Sequence, residues 1–101
     1  MNRVKEIKRL ESYFKGAANH WRIEVLLLLN ESTNLSLDNI AEELGVNIKT
    51  MSEHTKRLAD AGLINKTYRN REVLHSLSPY GKEFVRFIKK LNKNKQKLWL
   101  F

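Results

Sequence analysis

One hundred and one residues make about one domain, 42% apolar and 30% charged, enough for one modest core. A formal net charge of +8 favours a polyanionic partner. The absence of cysteine excludes disulfides and thiolate metal sites and fits a reducing, cytoplasmic setting.

The charge is uneven along the chain. Residues 1–35 carry six basic and four acidic groups, residues 36–77 carry six of each, and residues 78–101 carry seven basic and one acidic. The central segment therefore cannot hold a nucleic acid by bulk charge, and binding there must depend on placement. The longest purely apolar run, Val25 to Leu29, is far short of the roughly 18 residues a membrane span needs, so no membrane partner is expected. The opening "MNRVKEIKRLESYF" alternates charge and apolarity and lacks a signal-peptide core.

In chain order, Val4, Ile7, Leu10 and Phe14 recur at three- to four-residue spacing, which predicts an amphipathic helix over 2–15 ending near Gly16. Residues 20–31, with Trp21, Ile23 and Val25 to Leu29, are apolar nearly all round and predict a central, buried helix. "ESTNLS" reads as a polar loop, and Ser36 then caps a short helix whose Leu37, Ile40, Ala41 and Leu44 face inward. Gly45 supplies a turn, and Asn47 caps a further helix running to about Ala61 and Gly62. "LINKTYR" and "EVLHSL" around Asn70-Arg71 predict a β-hairpin, its register left open by Val73 beside Leu74. Ser78-Pro79 starts a last helix striped by Tyr80, Phe84, Phe87, Ile88 and Leu91. The fold expected is one domain over 1–101, mainly α with a small β-hairpin, in the order helix, helix, helix, helix, hairpin, helix.

Within 36–62 the pattern is that of a helix-turn-helix. Small Ala41 lets the second helix approach, Gly45 turns the chain, and Met51 plugs the corner. At 100° per residue Met51 and Leu58 point inward with Thr55 beside them. Lys49, Glu53 and Lys56 lie opposite, Ser52 flanks them, and Asn47 and Ile48 stand at the entering tip. Lysine can donate to guanine or phosphate, and glutamate can accept from cytosine. Lys49, Glu53 and Arg57 also have the i, i+4, i+8 spacing of a solvated ion-pair ladder, and for Glu53 the ladder is the favoured expectation.

Residues 16–81, from "GAANHWRIEVLLLL" through "LGVNIKTMSEHTKRLADAGLI" to "YRNREVLHSLSPYG", resemble the winged-helix repressors of the ArsR family. The resemblance implies a winged helix-turn-helix that binds double-stranded DNA as a homodimer. Arg22 stands at that family's usual arginine, and Thr55 stands where the family has a core leucine. The wing would be 63–77, with Arg69 and Arg71 at its tip. Thr50, His54, Arg57 and Lys66 complete the expected DNA-contacting set. The terminal helices, 1–15 and 79–101, would form the dimer interface through Val4, Ile7 and Phe14 and through Phe84, Phe87, Ile88 and Leu91, with Leu98 and Trp99. The family's metal sensors carry a cysteine motif on the bracing helix or an Asp/His set on the last one. Here "LSLDNIAEEL" and "YGKEFVRFIKKLNKNK" offer neither, so no metal site or cofactor is carried over.

His20, His54 and His75 fall on three elements without metal-ligand spacing and read as structural or surface groups, His54 with a phosphate within reach. No Ser/His/Asp order, phosphate-cradling glycine loop or paired carboxylates stand out, so no enzyme is expected. The final "LWLF" is expected to be buried in a partner subunit, ahead of folding back on its own core or meeting a membrane surface. The function expected is a dimeric, sequence-specific DNA-binding repressor. Its alternative is a winged-helix protein-interaction module in a larger nucleic-acid complex, and a single-strand or RNA binder would have only Tyr68 as an aromatic near the wing.

Overall fold

Polar side chains that take up the free amides of a first turn set the helix starts. In the computed structural model, which describes the backbone of residues 2–99 and the side chains of residues 2–93, Asn2 caps α1 (Arg3–Ala17) and Asn19 caps α2 (His20–Glu31). Ser36 caps α3 (Leu37–Leu44) and Asn47 caps α4 (Ile48–Asp60). At α5 (Pro79–Trp99) the Ser78 hydroxyl accepts from the Gly81 amide at 3.0 Å, while Pro79 has no amide proton to satisfy. α1 runs one residue past Gly16, where the sequence suggested an end. Gly16 is needed there for closeness: a Cβ on it would lie 2.3 Å from the Ala61 Cβ, so only glycine lets the end of α1 meet the end of α4.

The hairpin strands, β2 (Ile64–Arg69) and β3 (Glu72–Leu77), pair antiparallel, with Ile64 opposite Leu77 and Arg69 opposite Glu72. This fixes the register that Val73 and Leu74 left open: Val73 pairs with Tyr68 and Leu74 with Thr67, and both are half-buried. A third strand corrects the loop expected at "ESTNLS". β1 (Leu35–Ser36) pairs with β3 at His75 and Leu74, so the sheet order is β1-β3-β2. Two residues carry no alternation to read, and β1 exists only through a partner some 40 positions away.

The core is built around α2, whose Val25, Leu26 and Leu29 are buried. They pack with Ile40, Met51, Leu58, Leu63, Ile64 and Val85 in a single cluster. Ser78 locks the sheet to the end of α4: its amide donates to Leu63 O at 3.1 Å and its hydroxyl to Gly62 O at 2.6 Å. Beside it, Tyr13 stacks on Tyr80 with ring centroids 5.1 Å apart, and Phe14 meets Phe84 edge-on at 5.3 Å. Among the described residues no helix is long and apolar enough to cross a membrane.

Candidate nucleic-acid interface

The α3–turn–α4 unit is held by backbone geometry. Gly45 sits at φ 66°, with its amide donating to Glu42 O and the Val46 amide to Ala41 O at 3.0 Å. That pair of bonds closes a Schellman motif, which a Cβ at Gly45 would strain. The same closure ends α4, where Gly62 is at φ 81°, its amide donates to Ala59 O and the Leu63 amide donates to Leu58 O. Ala41 and Met51 are buried as the spacing predicts. Thr55, in place of a leucine, is 1% exposed, and its hydroxyl donates to Ser52 O at 3.1 Å, so the polar atom is satisfied without leaving the core.

The outer face of α4 presents Lys49, Ser52, Glu53 and Lys56 to solvent, with Thr50 and Arg57 beside them. Asn47 has its Oδ1 committed to the cap, accepting from Lys49 N at 2.8 Å, which leaves its amide nitrogen as a donor at the tip. The ladder favoured for Glu53 does not form. The ion pairs among the described residues are Lys15–Glu11, Lys56–Asp60 and Arg86–Glu83. Exposed i, i+4 pairs are worth little, so nothing compels Glu53 to close one. Lys56 does pair, at 2.8 Å, and its hydrogen bond holds the Asp60 carboxyl below its ordinary value.

His54 lies on the bracing side of α4. Its Nδ1 is 3.3 Å from Arg22 Nη1. A guanidinium only donates, so this nitrogen accepts and the imidazole is neutral here. Burial first, then the neighbouring Arg22, holds its pKa below the usual histidine value. Arg22 also donates from Nε to Gly16 O at 2.6 Å and from Nη2 to Lys15 O at 3.5 Å. It thus joins the carbonyl end of α1 to the middle of α4, a role that residue type alone did not reveal. His75 is a second structural histidine, 2% exposed, its Nδ1 donating to Leu35 O at 2.9 Å and so fastening β1 to β3. Burial lowers its pKa, partly opposed by that hydrogen bond. Among the described residues no three His, Asp or Glu side chains gather as a metal site would require.

In the wing, Asn70 at φ 57° turns the chain between Arg69 and Glu72, leaving Arg69 and Arg71 exposed at the tip. Lys66 is half-buried next to His75, and Tyr68 is 77% exposed. Wing and α4 face each other across a cleft of about 350 Å³, with Ile48, Ser52 and Thr55 on one wall and Lys66, Tyr68 and Arg71 on the other.

Away from this face, Val4, Ile7 and Leu10 of α1 and Phe87 and Leu91 of α5 are each about half exposed. Phe84 and Ile88 are half-buried against the core, and Phe14 already meets Phe84 and Phe87 of its own chain. The side chains of Leu98, Trp99, Leu100 and Phe101 lie outside the described residues.

Comparison with known proteins agrees with this geometry. The MarR family profile matches residues 19–71, from the cap of α2 to the wing tip. No curated protein is similar in sequence. Among solved structures, reduced HlyU from Vibrio cholerae N16961 is 24% identical, with a TM-score of 0.76 over 86% of this chain and 92% of that one. A homodimeric winged helix-turn-helix DNA-binding domain from Mycobacterium bovis, described as a possible ArsR-family regulator, is 18% identical. It superposes with a TM-score of 0.83 over 93% of this chain and 88% of its own. The antimony-specific transcriptional repressor AntR is 20% identical, with a TM-score of 0.79 over 92% and 85% of the two chains. At these identities the structures establish the fold. The sequence resemblance was to ArsR repressors, whereas the matching profile is that of another winged-helix family. The chain belongs to the MarR family of winged-helix DNA-binding transcription regulators.

Proposed function

We propose that the protein is a dimeric, sequence-specific repressor of ArsR-like architecture that reads a pseudo-palindromic site in double-stranded DNA. In this reading α4 enters the major groove with Lys49 and Ser52 at base edges, and Arg69 and Arg71 meet the backbone or the minor groove. The observation that carries it is the outer face of α4: a capped helix, locked at both ends, with Lys49, Ser52 and Glu53 exposed and in no ion pair among the described residues. Lys56, paired with Asp60, completes that face, Asn47, Ile48, Thr50 and Arg57 border it, and Lys66 lies at the cleft. His54, turned to Arg22, supports the helix rather than touching the base edges.

Dimerisation is supported by the half-exposed apolar stripes of α1 and α5, Val4, Ile7 and Phe14 with Phe87 and Leu91. A two-fold axis would let the same patch serve both subunits, and the similar M. bovis domain is a homodimer. A repressor role follows the precedent of AntR. Such a protein works on chromosomal DNA in the cytoplasm. The zero net charge of residues 36–77 favours the alternative, a winged helix that docks on protein within a larger nucleic-acid complex. Selection of bound fragments from random duplex DNA separates the two. Enrichment of a two-fold symmetric site supports the repressor, and failure to enrich any sequence contradicts it.

A further inference from the structure

Ile48 is the first residue of α4, and 46% of its surface is open although it is a large apolar side chain. At 100° per residue it stands about 20° from Thr55 and about 40° from Ser52, on the edge between the buried and outer faces of the helix. The core is already closed over the following three turns by Met51, Thr55 and Leu58, all of them buried. Side chains on a helix lean towards its N-terminus, so a first-turn residue projects past the packed core. For Ile48 that direction opens on the cleft between α4 and the wing. The cleft is lined by half-buried Leu37 and Val73 at its floor and by polar groups around them, Ser52 on the same helix and Lys66, Tyr68 and Arg71 across it, so the open half of Ile48 has no further apolar cover.

If α4 lies in the major groove, its first turn is the part that meets base edges. Those edges offer donors, acceptors and one apolar group, the C5 methyl of thymine. A side chain with neither donor nor acceptor gains contact only at that methyl. Against guanine, or against an adenine amine, it would strip water from polar atoms and return no hydrogen bond. Asn47 and Ser52 on either side keep donors free for the neighbouring edges: the Asn47 amide nitrogen, and the Ser52 hydroxyl. An apolar reader flanked by two polar ones is a specificity device, and it does not depend on the net charge of the segment.

We propose that Ile48 reads the C5 methyl of a thymine in each half-site of the DNA this protein binds. This rests on the DNA-binding reading above.

The test uses the full chain and the tightest duplex recovered by selection. Each thymine of the half-site is replaced in turn by deoxyuridine, symmetrically in both halves, which removes only the methyl. Binding is followed by fluorescence anisotropy for wild type, Ile48→Ala and Ile48→Val, with thermal melts of the free proteins. At one position the wild type should lose about fourfold per methyl and about fifteenfold for the symmetric pair. Ile48→Ala should bind the thymine and deoxyuridine duplexes equally at that position, with Ile48→Val between the two. If Ile48→Ala fails to fold, the graded loss in Ile48→Val against wild type decides the matter. Sequence-specific binding in which no deoxyuridine effect depends on residue 48 overturns the inference and leaves the repressor standing. Absence of any preference among duplexes overturns both.

Discussion

Arg22 offers a measure of how firmly α4 is braced. Replacing it with alanine removes the 2.6 Å bond from Nε to Gly16 O, the longer one to Lys15 O and the contact with His54 Nδ1. A hydrogen bond from a charged donor is worth about 1.5–3 kcal/mol where water is kept away. Arg22 is only partly buried and its second carbonyl bond is at the limit of length, so the lower half of that range applies. The expected loss is about 2 kcal/mol, which for a domain of this size lowers Tm by roughly 8–16 °C. Arg22→Lys should recover less than half of it, because a point charge cannot serve Gly16 and His54 together. Urea unfolding at fixed protein concentration measures the loss, and the same variant should bind DNA more weakly because α4 is less well held. A loss under about 0.5 kcal/mol in Arg22→Ala would refute the bracing role.

Other expectations follow from particular contacts. His54 and His75 both have folded-state pKa values below the unfolded one, so the unfolded chain binds more protons in that interval. Stability should be full above the ordinary histidine pKa and fall as pH drops through it towards the folded values. Unfolding free energy measured from pH 8 to pH 5 should therefore decline, and a flat profile contradicts neutral, hydrogen-bonded histidines. Gly81→Ala would put a Cβ 2.0 Å from Leu63 O, a backbone atom that cannot move aside, and should cost about 1–3 kcal/mol or prevent folding; wild-type stability would mean the approach of α5 to Leu63 is looser. Ile7→Asp, repeated by symmetry across a two-fold interface, should convert a dimer of about twice 11.9 kDa to monomer in light scattering. A wild-type chain already monomeric at micromolar concentration contradicts the dimer.

What the sequence made legible was local. The Ser36 and Asn47 caps, the Gly45 turn, the Met51 plug and the Asn70 wing turn each depend on residues within a few positions of one another, and all are where the pattern puts them, whereas the Asn2 and Asn19 caps went unread. What it concealed was pairwise and distant. β1 has no signal of its own because two residues become a strand only against His75 and Leu74. Arg22 stood out by resemblance, but its partners Gly16 and His54 lie on two other helices. Phe14 belongs to an apolar stripe by spacing, yet only packing reveals that part of that stripe meets Phe84 and Phe87 of the same chain. Thr55 could be read as a flaw in the core until its hydroxyl was seen bonded to the carbonyl of Ser52.

The central claim, that α4 reads bases while the wing holds the backbone, is tested by one titration series. Wild type, Lys49→Ala and Arg71→Ala are bound to the selected duplex and to a scrambled one across a range of salt concentrations. Arg71→Ala should weaken both duplexes alike and reduce the salt slope by roughly 0.9 for each lost phosphate contact, about twice that in a dimer. Lys49→Ala should cost about 1–3 kcal/mol on the selected duplex and little on the scrambled one. Equal affinities of all three proteins for both duplexes would contradict the account and leave the helix-turn-helix to a protein partner.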